Sequence, residues 1–106
     1  MLSQREIDML NILWKENRPM TCSDIVAEKR ELTQNTGTAV IRRLLAEGLI
    51  EVHGTTYCGR VLGRTYVPTP KSKEALVQNF MEQYNWFKDA IPLDELIERM
   101  KKIQDA

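Results

Sequence analysis

TQNTGTAVIRRLLAEGLI, residues 33–50, is the stretch that decides the fold. It reads as a helix running directly into an apolar strand. Val40, Ile41, Leu44 and Leu45 recur at helical spacing and form one buried stripe. Asn35, Thr38 and Arg42 lie on the opposite face, which is polar or basic. Thr33 is placed to cap the start of this helix and Gly48 its end. A helix that is apolar behind and hydrogen-bonding in front suits DNA reading, because base edges and phosphates are recognised by donors and acceptors. Gly37 breaks the pattern. Leu32 stands where a hydrophobic staple begins, and its partner position holds Gly37. A glycine inside a helix costs roughly 1 kcal/mol relative to alanine. Two accounts stand open: a tolerated defect, or a small residue that lets another backbone or a phosphate come close.

Upstream, two more helices are signalled. Ser3 and Glu6 make a capping box, and Leu2 with Ile7 occupies the staple positions. Ile7, Leu10, Leu13 and Trp14 follow as an inward face, and Asn17-Arg18-Pro19 ends the helix because proline disfavours helix in the residue before it. Thr21 caps the next helix, with Asp24 in its first turn and Met20 and Ile25 at the staple positions. Ile25 and Val26 face the core, while Glu28, Lys29 and Arg30 face water. Helix, short link, helix, short link, helix is the helix-turn-helix layout.

Downstream, LIEVH (49–53) and TYVPT (65–69) read as strands. They bracket GTTYCGRVLGR (54–64), a long flexible hairpin tip, or wing, whose Arg60 and Arg64 can reach a phosphate or the minor groove. Thr69-Pro70 is a cap followed by proline at the first helical position. Leu76, Val77, Phe80, Tyr84 and Phe87 then form a stripe of three-to-four spacing. Pro92 opens a last helix with Leu93, Leu96, Ile97, Met100 and Ile103 on its apolar side. Asp94 and Glu95 near its start and Lys101 and Lys102 near its end match the helix dipole. Two such helices after a complete small core have little left to pack on, so a partner subunit is their natural cover. The division is therefore a DNA-binding domain over 1–70 and a helical dimerisation region over 71–106.

Composition sets the outer bounds. A chain of 106 residues with 42% hydrophobic and 28% charged residues is about one small soluble domain. No apolar run approaches the roughly 20 residues that span a bilayer. The N-terminus, MLSQREIDML, lacks the pattern of a signal peptide, which points to the cytoplasm and away from any membrane. Cys22 and Cys58 lie far apart without metal-type spacing and read as free thiols. The formal net charge is zero, yet residues 33–66 carry Arg42, Arg43, Arg60 and Arg64 against only Glu47 and Glu51. That local excess permits nucleic-acid binding without demanding it.

LSQREIDMLNILW (2–14), SDIVAE (23–28), TAVIRRLLAEGLIE (38–51) and RTYVPT (64–69) together resemble the penicillinase-repressor (BlaI/MecI/CopY) family. The resemblance covers residues 2–70 well and the remainder loosely. It implies a mainly α fold with a small β-hairpin, a winged helix-turn-helix followed by C-terminal dimerisation helices. It also implies a homodimeric repressor on a palindromic double-stranded DNA operator. By position, Gln34, Asn35, Thr36, Thr38, Ala39, Arg42 and Arg43 take the places of the family's DNA-facing or flanking residues. The chain departs from the family at Asn35 and Thr38, where basic residues are common, and at Gly37, where a large apolar residue is common. Copper-responsive members carry paired cysteines near the C-terminus, and none follows Cys58 here. Resistance-type members are cleaved at an Asn-Phe bond, and Asn79-Phe80 supplies that dipeptide, so a regulatory protease is a further partner to consider.

The residues argue against an enzyme and imply neither cofactor nor metal. There is one histidine, His53, read as a surface hairpin residue; no nucleophile stands with a base, and no glycine loop cradles phosphate. The rival reading is a winged-helix protein–protein interaction module, which suits the neutral charge. The polar front of the third helix speaks against it, since protein-binding faces present aromatic or aliphatic anchors. A third reading places a small ligand beside Tyr84, Trp86 and Phe87.

Overall fold

The computed structural model describes residues 1–105, and the chain divides into two compact units, Met1–Leu76 and Val77–Ala106. In chain order the elements are α1 (Gln4–Glu16), α2 (Cys22–Ala27), α3 (Gln34–Ala46), β1 (Ile50–Cys58), β2 (Val61–Pro68), α4 (Pro70–Tyr84) and α5 (Leu93–Asp105).

The signals at the helix ends act as the sequence predicts. Ser3 and Glu6 close a reciprocal capping box on α1, and Thr21 with Asp24 does the same on α2. Asn17 ends α1 in the left-handed conformation (φ 52°), its N–H donating to the Leu13 carbonyl. The chain thus turns before Pro19 is reached. At the end of α3, Gly48 (φ 73°) donates to Leu45 at 3.1 Å and Leu49 donates to Leu44 at 2.9 Å. That is the Schellman arrangement, and it swings Leu49 and Ile50 into the core as the strand begins.

The core of the first unit is built by Met9, Leu10, Leu13, Met20, Ile25, Val40 and Leu44, all essentially sealed from water. On α1 the inward face is centred on Met9, Leu10, Ile12 and Leu13, whereas Ile7 and Trp14 are only half-buried. Trp14 packs at the edge, where its Nε1 donates to the Ser72 hydroxyl at 2.9 Å and Lys73 lies 4.2 Å from its ring centre.

Lys29 departs from the water-facing role expected of it. Its Nζ lies 3.1 Å from Asp8 Oδ1, and Asp8 also accepts from Gln4 and Arg5. The Asp8 side chain is 6% exposed, so this cluster pins the residues after α2 onto α1. Burial pushes the Asp8 carboxyl up, but the Gln4 and Lys29 hydrogen bonds, the Lys29 charge and the Arg5 hydrogen bond outweigh it and hold the pKa below the ordinary value.

The hairpin is more regular than the long flexible tip expected. β1 and β2 pair antiparallel from Ile50↔Pro68 to Cys58↔Val61, leaving only Gly59 and Arg60 to turn the chain. Gly59 has φ 66°, the backbone that a two-residue hairpin turn demands at its first central position. His53 is the extra residue of a bulge between Val52 and Gly54, and it is exposed. A feature the sequence did not announce closes the base of the hairpin. Met20 and Tyr66 exchange backbone hydrogen bonds of 3.1 and 2.8 Å, so the link between α1 and α2 adds a one-residue third rung.

Thr69 precedes α4 as expected, yet its hydroxyl donates to the Gly48 carbonyl at 2.7 Å and so ties the end of the hairpin to the end of α3. α4 ends at Tyr84, so Phe87 lies beyond it in a series of turns and does not continue the helical stripe. The Tyr84 and Phe87 rings meet edge to face at 5.4 Å, and the Tyr84 hydroxyl donates to the Ile91 carbonyl at 2.8 Å. Trp86 is 82% exposed. No residue of α5 is buried.

Candidate nucleic-acid interface

α3 turns its two faces to different environments. Gly37, Val40, Ile41 and Leu44 are buried, with Leu45 at the margin. Gln34, Asn35, Thr38, Ala39, Arg42 and Arg43 are exposed. At 3.6 residues per turn, Asn35, Ala39 and Arg42 run down the centre of the outer face, with Thr38 and Arg43 on its two flanks. Thr36 has a different duty. Its N–H donates to the capping Thr33 oxygen at 3.1 Å, and the Thr33 hydroxyl donates to the Thr36 hydroxyl at 3.0 Å. It fixes the start of α3 and is half-buried.

The structure resolves the Gly37 question in favour of close approach, but the neighbour is neither a backbone nor a phosphate. Gly37 is buried against α2. A methyl group there would lie 2.6 Å from Val26 Cγ1 and 3.0 Å from Cys22 Sγ. The glycine lets α2 and α3 cross tightly and so sets the angle at which the outer face of α3 is presented.

α2 also holds side chains on the flank of that face. The Thr38 hydroxyl donates to the Gln34 carbonyl at 2.9 Å and lies 3.9 Å from Cys22 Sγ. The Ser23 hydroxyl reaches Gln34 Oε1 at 3.5 Å. Burial pushes the Cys22 thiol pKa up, against hydrogen bonds with Thr38 and Gln34 that pull it down. Both cysteines are free, Cys22 half-buried at the helix crossing and Cys58 exposed on the hairpin.

The hairpin carries the other two arginines. Arg60 occupies the turn, and Arg64 sits within β2 opposite Thr55, both exposed. No ion pair among the described residues engages Arg42, Arg43, Arg60 or Arg64, so all four guanidinium groups remain available to an anion. The sequence reading missed the apolar character of the hairpin end. Tyr57, Val61 and Leu62 are 74%, 70% and 56% exposed. Their apolar types inside a glycine-rich stretch were the available signal.

The sequence matches no family model and no curated protein. Solved structures do match its fold. A PadR family transcription regulator from Clostridium difficile superposes with a TM-score of 0.60 at 17% identity, covering 83% of this chain and 94% of that one. The transcriptional regulator BldR from Sulfolobus solfataricus gives 0.58 at 22% identity, covering 98% and 74%. Bacillus subtilis PadR, solved in complex with operator DNA, gives 0.62 at 17% identity, covering 97% and 73%. At these identities the likeness is one of fold, and the fold is the mainly helical winged helix with a two-stranded antiparallel hairpin.

Proposed function

We propose that the chain is a DNA-binding transcriptional regulator, a cytoplasmic repressor that sits on a palindromic operator as a homodimer. One observation carries the reading: the outer face of α3 is exposed, hydrogen-bonding and basic from Gln34 to Arg43, while its back is sealed into the core. A helix so mounted fits the major groove, and Arg60 on the hairpin turn fits the flanking backbone. The operator complex of the Bacillus subtilis neighbour supports the same use of the fold. The ordered stretches that resemble the penicillinase-repressor family are what supports placing the chain in that subfamily. A protease acting at Asn79-Phe80 would have to open α4 first, since that bond lies inside the helix with Asn79 buried.

The test is a mobility-shift titration of the full chain against DNA selected from a random-sequence pool, repeated at several salt concentrations. Arg42→Ala should cost roughly 1–3 kcal/mol of affinity and relax the preference at one operator position. Binding insensitive to salt and to Arg42 would defeat the proposal. The adaptor reading draws on the apolar hairpin end. If Tyr57 and Leu62 serve a protein partner, the double change Tyr57→Ser, Leu62→Ser would abolish capture of that partner and leave DNA affinity untouched.

A further inference from the structure

The proposed DNA-reading face has an unusual middle. Its outermost line runs Asn35, Ala39, Arg42, and Thr38 flanks Ala39 on the side of α2. Thr38 is exposed, yet its hydroxyl proton is already committed. The hydroxyl donates to the Gln34 carbonyl at 2.9 Å and faces Cys22 Sγ at 3.9 Å, so it is turned back toward its own helix and α2. The branched carbon that remains free to face outward is Cγ2, a methyl group. Ala39 beside it offers only a methyl. Between a side chain suited to adenine (Asn35) and one suited to guanine or phosphate (Arg42), the helix therefore presents a step that carries two methyl groups and whose one hydroxyl proton is spent on its own backbone.

A base pair displays one apolar group in the major groove, the 5-methyl of thymine. We infer that the Thr38 methyl, with Ala39 leaving room beside it, reads the 5-methyl group of one thymine in each operator half-site. The inference rests on the DNA-binding reading above and specifies what that face recognises. Cys22 acts as a positioning residue by facing the Thr38 hydroxyl, and Gly37 acts likewise by letting α2 come near enough for that contact.

The experiment uses the full chain and its selected operator, with each thymine of one half-site replaced in turn by deoxyuridine, which lacks only the methyl. Removing one buried methyl should weaken binding about fourfold at a single position. Thr38→Ser keeps the hydroxyl and its hydrogen bond but deletes Cγ2, and it should bind the thymine and deoxyuridine duplexes equally. Thr38→Val keeps a methyl and should retain the discrimination. The salt dependence of both variants should match that of the parent, because no phosphate contact is altered. Sequence-specific binding with no deoxyuridine penalty at any position overturns the inference and leaves the DNA-binding reading intact. A penalty undiminished in Thr38→Ser overturns the assignment to Thr38. Absence of any sequence-specific binding defeats the underlying reading as well.

Discussion

At Gly37 two physical effects compete, and the structure decides between them. Alanine is the better helix former by about 1 kcal/mol, so Gly37→Ala should stabilise an isolated α3. In the folded chain the added carbon would meet Val26 Cγ1 at 2.6 Å, a stiff β-branched group that cannot swing aside. Overpacking of this kind costs about 1–3 kcal/mol, and Gly37→Ala should therefore lower the thermal midpoint. Adding Val26→Ala should recover part of the loss, and a double change no more stable than the single one would assign the cost elsewhere. That Gly37 breaks the helical pattern was legible in the sequence; the reason was not, because Val26 belongs to another helix and arrives only through the turn. Asp8 makes the same point for charge. Its folded pKa stands below the ordinary value, so the unfolded chain takes up the proton first as acid is added. The stability Asp8 confers is complete above the ordinary carboxylate pKa of about 3.9 and drains away as pH falls through the folded value. Asp8→Asn should cost about 1–3 kcal/mol at neutral pH, and the gap between parent and variant in urea midpoints should close in acid. A gap independent of pH would place the loss in packing.

The elements whose sequence separates a polar from an apolar face were legible, and the outer half of the hairpin, which does not, was not. α1 and α3 bury continuous apolar stripes, so helical period and caps gave both. The hairpin resisted because its outer half has no buried face. From Glu51 to Leu62 every residue except Gly54 is exposed, and the alternation that betrays a half-buried strand is missing. Backbone pairing and Gly59 hold it together instead, and glycine-rich polar sequence reads as loop. The stiffness bears on function. A two-residue turn presents Arg60 at a fixed point, yet its side chain remains long, exposed and free of ion pairs among the described residues. Such a group suits phosphate better than a base edge. Arg60→Ala should weaken binding to all sequences about equally and reduce the salt slope by about 1. A loss confined to one operator variant would assign Arg60 to base reading. A suitable silent control is Arg30→Ala; Lys29 cannot serve, because its contact with Asp8 ties it to stability.

The two units differ in what they bury. The unit Met1–Leu76 encloses a full core, and its hold on α4 extends to Ser72, Ala75 and Leu76, past the boundary at Pro70 expected from the helical stripes. The unit Val77–Ala106 leaves Val77, Phe80, Phe87, Leu93, Ile97, Met100 and Ile103 exposed on the described chain. An apolar surface of that extent on so small a unit argues for a second copy as its cover, which is the homodimer proposed above. The stripe was legible because amphipathic helices declare themselves by period; what covers it lies outside one chain's sequence. The change Ile97→Glu with Met100→Glu places carboxylates in that surface without touching a buried residue, and it should yield a monomer by sedimentation while the first unit melts as before. Coupling two half-site contacts raises affinity by about 10²–10⁴ through effective concentration, so operator binding should fall by that order. Salt dependence then separates lost dimerisation from a damaged interface. Arg42, Arg43, Arg60 and Arg64 give each subunit four cationic contacts, doubled in a symmetric dimer. If half to all of them neutralise phosphates, the slope of log affinity against log salt is about −4 to −7 for the dimer and about half that for the monomer. Acids elsewhere on the chain do not cancel it, because screening confines each contact to about 8–10 Å. A variant that is monomeric yet keeps the full slope and affinity would show that the second unit serves some purpose other than pairing two DNA-reading heads.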